Sequence, residues 1–140
     1  MILYLDTSSL VKVFVDEPGS QEVRALVSQT DGIATSIVAY VEMWSALSRK
    51  LRSGEIQRAE YQAYLDQFEH YWRITTVVTL SEQLVASAAR LTERHGLRAL
   101  DAIHLASAAS LARWSREPLI FSSADAAQLA AAGRQGLTTP

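Results

Sequence analysis

Four acidic residues, Asp6, Glu42, Asp101 and Asp125, stand out for where they occur. Asp6 ends the apolar run Ile2-Leu3-Tyr4-Leu5, and Asp101 interrupts Ala99-Leu100-Asp101-Ala102-Ile103-His104-Leu105-Ala106. Ionised carboxylates avoid apolar surroundings unless they are paired, hydrogen-bonded or bound to a metal. Two carboxylates about 4 Å apart repel by roughly 4 kcal/mol at an effective dielectric near 20, so a cluster of them calls for a compensating cation. A hard divalent ion, Mg²⁺ or Mn²⁺, would meet that need and bring phosphoryl polarisation and water activation with it.

Each acid also has a use without chemistry. Asp125 and Asp101 suit helix N-termini, where a carboxylate contributes up to about 1 kcal/mol. Glu42 suits the solvated flank of a helix. Asp6, closing a buried strand, has the fewest such uses. Thr7, Ser8 and Ser9 after Asp6, and Ser122 and Ser123 before Asp125, offer hydroxyls either as caps or as metal or phosphate contacts. His104, one turn after Asp101, is placed to hydrogen-bond that carboxylate or to pack as a structural histidine. Arg98 and Lys12 flank the acids and suit either phosphate or the surface.

The elements that must position these groups alternate. Ile2 to Leu5 reads as a buried strand and Ser8 to Val15 as a helix, closed by the turn Asp16-Glu17-Pro18-Gly19. A short helix carrying Val23, Leu26 and Val27 leads to a strand at Ile33 to Ser36. From Ile37 to Arg52, residues Ile37, Tyr40, Val41, Trp44, Leu47 and Leu51 form one apolar stripe. From Glu55 to Trp72, an aromatic stripe runs from Tyr61 to Trp72, suited to a core, to a protein interface or to base stacking. These two helices form a hairpin inserted after the second strand. Ile74 to Val78 is a β-branched strand. Helices follow at Ser81 to His95 and Ala99 to Ala112, then a strand at Leu119 to Ser122. A last helix begins at Ala124 or Asp125, and Leu137 to Thr139 reads as a final edge strand. The alternation predicts a single α/β domain over residues 1–140, a mainly parallel sheet covered by helices on both faces. Sites in such sheets form beyond the carboxyl ends of the strands, where strand order reverses. Asp6 and Asp125 follow strands, and the helices bearing Glu42 and Asp101 start at the same end, so all four acids are predicted to converge there.

Composition narrows the chemistry. The 140 residues are 49% hydrophobic and 20% charged, a globular balance. There is no cysteine, and His70, His95 and His104 lack metal-ligand spacing, which argues against zinc and for an oxygen-bound ion. The formal net charge of −2 argues against a general polyanion binder but not against a nucleic-acid enzyme whose negative charge is gathered in one pocket. Eleven of the thirteen basic residues are arginine, the side chain suited to bidentate phosphate contact. The chain enters a strand pattern almost at Met1 and has no apolar run approaching ~20 residues, so a soluble cytoplasmic protein is expected, with no membrane contact.

Several segments together resemble the PIN domain, and within it the VapC-type toxin ribonucleases. They are Leu5-Asp6-Thr7-Ser8-Ser9-Leu10-Val11-Lys12, the Glu42 helix, Leu97-Arg98-Ala99-Leu100-Asp101-Ala102-Ile103-His104-Leu105-Ala106, and Ile120-Phe121-Ser122-Ser123-Ala124-Asp125 with Leu129 to Ala132 and Gly136-Leu137. The Asp101 segment is the most specific of these. The resemblance implies a three-layer α/β/α fold and a metal-dependent single-strand endoribonuclease. It also implies a homodimeric toxin of a type II toxin–antitoxin pair, silenced by a small antitoxin. Carried over by position, it implies Asp6 and Asp101 as principal Mg²⁺ ligands, with Glu42 and Asp125 completing a catalytic quartet. Members often carry a basic residue after the last acid, where this chain has Ala126, Ala127 and Gln128.

Other readings share the pattern. A PIN-like module could bind RNA or protein without cutting, although its acids would usually be eroded. A phospho-accepting receiver domain needs two adjacent acids after the first strand, whereas Thr7 follows Asp6; it also needs an acceptor Asp after the third strand and a Lys after the last, and neither is present. A haloacid-dehalogenase-type phosphatase needs a second Asp where Ser8 stands.

Overall fold

Strand β1 (Ile2–Leu5) lies inside the sheet, and three of its four side chains are fully buried. The computed structural model describes all 140 residues. In chain order β1 is followed by α1 (Thr7–Phe14), α2 (Ser20–Ser28), β2 (Gly32–Ser36), α3 (Val38–Arg52) and α4 (Arg58–Trp72). Then come β3 (Thr76–Val78), α5 (Glu82–His95), α6 (Ala99–Trp114), β4 (Leu119–Ser122) and α7 (Ala126–Arg134). The sheet order is β3-β2-β1-β4 and every pairing is parallel, with Ile2 opposite both Gly32 and Leu119. Successive strands step outward from β1 through β2 to β3, and β4 then returns to the other side of β1. The order therefore reverses between β1 and β4, which is where a crevice opens in such sheets.

Side-chain alternation along β1 divides the core into two layers. Leu3 and Leu5 face α1 to α4 with Leu10, Phe14, Met43, Leu47 and Phe68. Tyr4 faces α5 to α7 with Phe121, Leu105, Ala131 and Ala132. The result is the three-layer α/β/α arrangement, with the α3–α4 hairpin inserted after β2. The aromatic stripe of α4 is core: Phe68 is fully buried, and Tyr71 and Trp72 pack against Phe14 and Tyr40 at ring distances of 5.3 and 5.2 Å.

Small differences from the sequence reading have local causes. Helix α4 starts at Arg58 rather than Glu55, because the Glu60 carboxylate accepts from the Gln57 amide and so fixes the first turn there. The expected edge strand at Leu137 to Thr139 contracts to one bridge, Ile120 with Thr138. Gly136, at φ +78°, turns the chain, and the Leu137 amide bonds back to Ala132, so too little extended chain remains for a strand. No helix is long and apolar enough to cross a membrane.

Candidate active site

The ends of β1 and β4 are stitched together at the switch point. The Asp6 amide donates to the Ser122 carbonyl at 3.1 Å. The Ser9 and Ser122 hydroxyls meet at 2.9 Å, and the Ala124 amide donates to the Ser8 hydroxyl at 2.9 Å. These bonds hold the turn bearing Asp125 against the turn bearing Asp6. Glu42, on the second turn of α3, and Asp101, in the first turn of α6, come in from either side. All four acids line one cleft of about 860 Å³.

Each carboxylate has one oxygen held and the other without a hydrogen bond. Asp6 caps α1: its Oδ1 accepts from the Ser9 amide at 2.9 Å and the Ser8 hydroxyl at 2.7 Å. Asp125 caps α7 in the same way, its Oδ1 accepting from the Ala127 and Gln128 amides at 2.8 and 3.3 Å. Glu42 Oε1 accepts from the Thr7 hydroxyl and from His104 Nε2, both at 2.8 Å. Asp101 Oδ2 accepts from Arg98 Nε at 3.2 Å, an exposed pair that contributes little to stability. The four anchored oxygens fix the orientation of four hard, unshared ones.

Burial separates the acids electrostatically. Asp6 is only 3% exposed and makes no ion pair with lysine or arginine. Burial pushes its carboxyl up, with the hydroxyls of Ser123 and Ser8, the Ser9 amide and the nearby His104 pulling the other way. Burial also acts on Glu42, but there the His104 bond and charge and the Thr7 hydroxyl outweigh it, and the carboxyl is lowered. No three of the carboxylate and imidazole groups converge closely enough to form a ready-made metal cage. The donor set nevertheless fits a hard divalent cation: all-oxygen ligands, a desolvated Asp6 with no basic partner, and a free oxygen on every acid. Farther along the cleft the lining turns basic, with Lys12, Arg49 and Lys50. Glu17 bridges the two lysines at 2.9 and 3.1 Å.

The polar residues around the quartet take different parts from those their spacing predicts. Asp6 itself, not the hydroxyls that follow it, caps α1. Asp101 is not a cap, because Arg98 holds that position. His104 is buried, 2% exposed, and the carboxylate it bonds is Glu42, 62 residues away, and not Asp101. Sequence reasoning gave no role to Gln128, which is 1% exposed and joins the Ser123 hydroxyl to the Asp101 carbonyl. Its only signal was a polar residue on the apolar side of a short alanine-rich helix.

The family model described as PIN domain matches residues 3–113. This chain belongs to the PIN domain family. Ribonuclease VapC45 of Mycobacterium tuberculosis is 34% identical over 107 residues, covering 76% of this chain and 74% of that protein. Ribonuclease VapC47 of the same species is 33% identical over 116 residues, covering 80% and 78%. Among solved structures, FitAcB from Neisseria gonorrhoeae superposes with a TM-score of 0.68 at 17% identity, covering 99% of this chain and 96% of that one. Membership displaces the receiver and phosphatase readings. The matched residues carry Asp6, Glu42 and Asp101, and Asp125 lies beyond them.

Proposed function

We propose that this PIN domain is a metal-dependent endoribonuclease, the toxin of a type II toxin–antitoxin pair. The observation that carries the reading is the quartet: four anchored carboxylates, each with a free oxygen, in one cleft at the β1–β4 switch point. Relatives at 33–34% identity are named as ribonucleases, which supports the same reaction class here.

In this reading Asp6 and Asp101 hold Mg²⁺ or Mn²⁺, with Glu42 and Asp125 completing the set. When bound, such a cation supplies Lewis-acid polarisation of a phosphoryl oxygen and a lowered pKa for water. Glu42 or Asp125 orients the attacking water and takes its proton on the free carboxylate oxygen. Attack on phosphorus breaks the bond to O3′, which takes a proton from solvent as it leaves, giving a 3′-hydroxyl and a 5′-phosphate. Cleavage through the RNA 2′-hydroxyl is less favoured, because the cleft's histidine, His104, is buried with both ring nitrogens already partnered. The basic end of the cleft, at Arg49 and Lys50, suits the phosphates of a single strand running away from the acids.

The partners follow the same reading: a second copy of the chain, and a small cytoplasmic antitoxin that covers the cleft. Ile37, at the N-cap of α3, and Val41 and Trp44 on that helix present an exposed apolar stripe beside Glu42, a surface fit for protein contact. The solved structures that share the fold include a toxin-antitoxin complex from Klebsiella pneumoniae, in line with an antitoxin partner.

The deciding experiment incubates purified protein with single-stranded RNA and Mg²⁺ or Mn²⁺, and maps the ends. Cleavage leaving 5′-phosphates, stopped by EDTA and absent from Asp6→Asn, is expected. Equal cleavage in excess EDTA would overturn the metal-dependent reading. No cleavage of any RNA with either metal would leave a non-catalytic binding module.

A further inference from the structure

His104 sits in α6 three residues beyond Asp101, yet its ring turns away from that acid and into the sheet. Nδ1 lies 3.1 Å from the Tyr4 hydroxyl, and Nε2 lies 2.8 Å from Glu42 Oε1 and 3.2 Å from Thr7 Oγ1. Tyr4 is itself fixed, stacked on Phe121 at 5.6 Å and edge-on to the imidazole at 6.1 Å. An ionised carboxylate only accepts, so the network assigns a hydrogen to Nε2; in the neutral ring, Tyr4 then donates to Nδ1. A relay runs from the sheet core through the imidazole to the carboxylate at the cleft wall.

Glu42 needs such a hold. Its side chain is 22% exposed and lines the cleft from the second turn of α3. A free glutamate there would sample several rotamers. Two donors on Oε1, from Thr7 and His104, leave Oε2 as the oxygen turned to the cleft.

We propose that His104 is a positioning residue: through its Nε2 hydrogen it holds Glu42 Oε1 and so presents Oε2 to the cleft. Its consequence for cleavage rests on the ribonuclease reading, whereas the hydrogen bond does not. A residue that merely fills the core would be replaceable by an apolar side chain of similar size without loss of activity. A positioning residue acts through Glu42 alone.

The test compares His104→Leu, His104→Gln and Tyr4→Phe with the wild-type protein, alone and combined with Glu42→Gln, in single-turnover cleavage of single-stranded RNA. Partners that orient such ligands are commonly worth 10–100-fold in activity, so His104→Leu is expected to lower the rate by about that factor with KM unchanged. His104→Gln, which keeps an N–H near the same place, should recover most of the loss. Tyr4→Phe, which keeps the stacking ring and serves if His104→Leu does not fold, should give a smaller loss. In the Glu42→Gln background, His104→Leu should cost nothing more. Equal losses in the Leu and Gln variants, or losses that add to that of Glu42→Gln, would overturn the proposal. If the wild-type protein cleaves no RNA, the ribonuclease reading fails separately, and ¹⁵N spectra of the imidazole still decide the hydrogen bond. Glu42→Gln should then shift the His104 Nε2 resonance, and an unmoved resonance would sink the assignment.

Discussion

The side-chain amide of Gln128 donates to the main-chain carbonyl of Asp101 at 3.1 Å, tying the first turn of α7 to the first turn of α6. The amide oxygen of the same residue accepts from the Ser123 hydroxyl at 3.1 Å. One buried side chain therefore braces the two turns that carry Asp101 and Asp125. The last acid of the quartet, beyond the matched family residues, is placed by this brace and by the serine stitching between β1 and β4.

Gln128→Leu keeps the volume and removes both bonds. The Ser123 hydroxyl keeps the Asp125 amide as a partner, so the variant should lose only the net worth of two hydrogen bonds, about 0.5–1.5 kcal/mol each. Urea denaturation reads this as a lower midpoint at unchanged slope. An unchanged midpoint would show that the brace contributes nothing net.

The aromatic stripe of α4 makes a contrasting case. Phe68 is fully buried among Phe14, Tyr40 and Trp72, and Phe68→Ala should cost about 3–5 kcal/mol. Trp114, at the end of α6, is 85% exposed, and Trp114→Ala should stay within about 0.5 kcal/mol. Both variants should cleave RNA at the wild-type rate where folded. A loss of cleavage in folded Phe68→Ala would instead show that the core packed beneath α3 helps to place Glu42.

The sheet and the convergence of the acids were legible in the sequence because they follow from local signals. Apolar runs and helical stripes locate β1, β2, β4 and every helix to within a few residues, and strand–helix alternation makes the sheet parallel. A carboxylate directly after a strand then has only one end of the sheet to occupy, which places Asp6 and Asp125. The partners of those acids were not legible. Spacing along one helix pairs His104 with Asp101, but the choice between Asp101 and Glu42 depends on how α6 rotates against β1, a packing outcome with no local code. The bond from Thr7 to Glu42 and the bridging by Gln128 likewise join segments tens of residues apart.

Glu42 should set part of the acid limb of stability. Its folded carboxyl is lowered from the usual 4.5, so it binds protons less readily in the folded chain than in the unfolded one. Its contribution is therefore present above about pH 4.5 and lost as pH falls through the lower folded value. Glu42→Gln should flatten the decline of stability below pH 4.5, read from thermal midpoints between pH 3 and 6. An identical decline in wild type and variant would exclude the linkage.

Asp6 should act with the opposite sign. Burial raises its folded carboxyl above the usual 3.8, so the folded chain binds that proton more tightly than the unfolded chain does. Stability linked to Asp6 is present below about pH 3.8 and lost as pH rises through the higher folded value, which leaves a desolvated charge in the protein at neutral pH. Asp6→Asn removes that charge and keeps Oδ1 to accept from Ser8 and Ser9, and asparagine caps a helix about as well as aspartate. In EDTA at pH 7 the variant should therefore melt above the wild-type protein, with the gap closing toward pH 3. Mg²⁺ should reverse the order: a ligand at 100 times its Kd stabilises by about 2.7 kcal/mol, and only the wild-type protein should gain it. Thermal melts across pH, with and without Mg²⁺, read both effects. Equal Mg²⁺ shifts in the two proteins would remove Asp6 from the cation site, and a variant less stable at every pH would remove the buried-charge account.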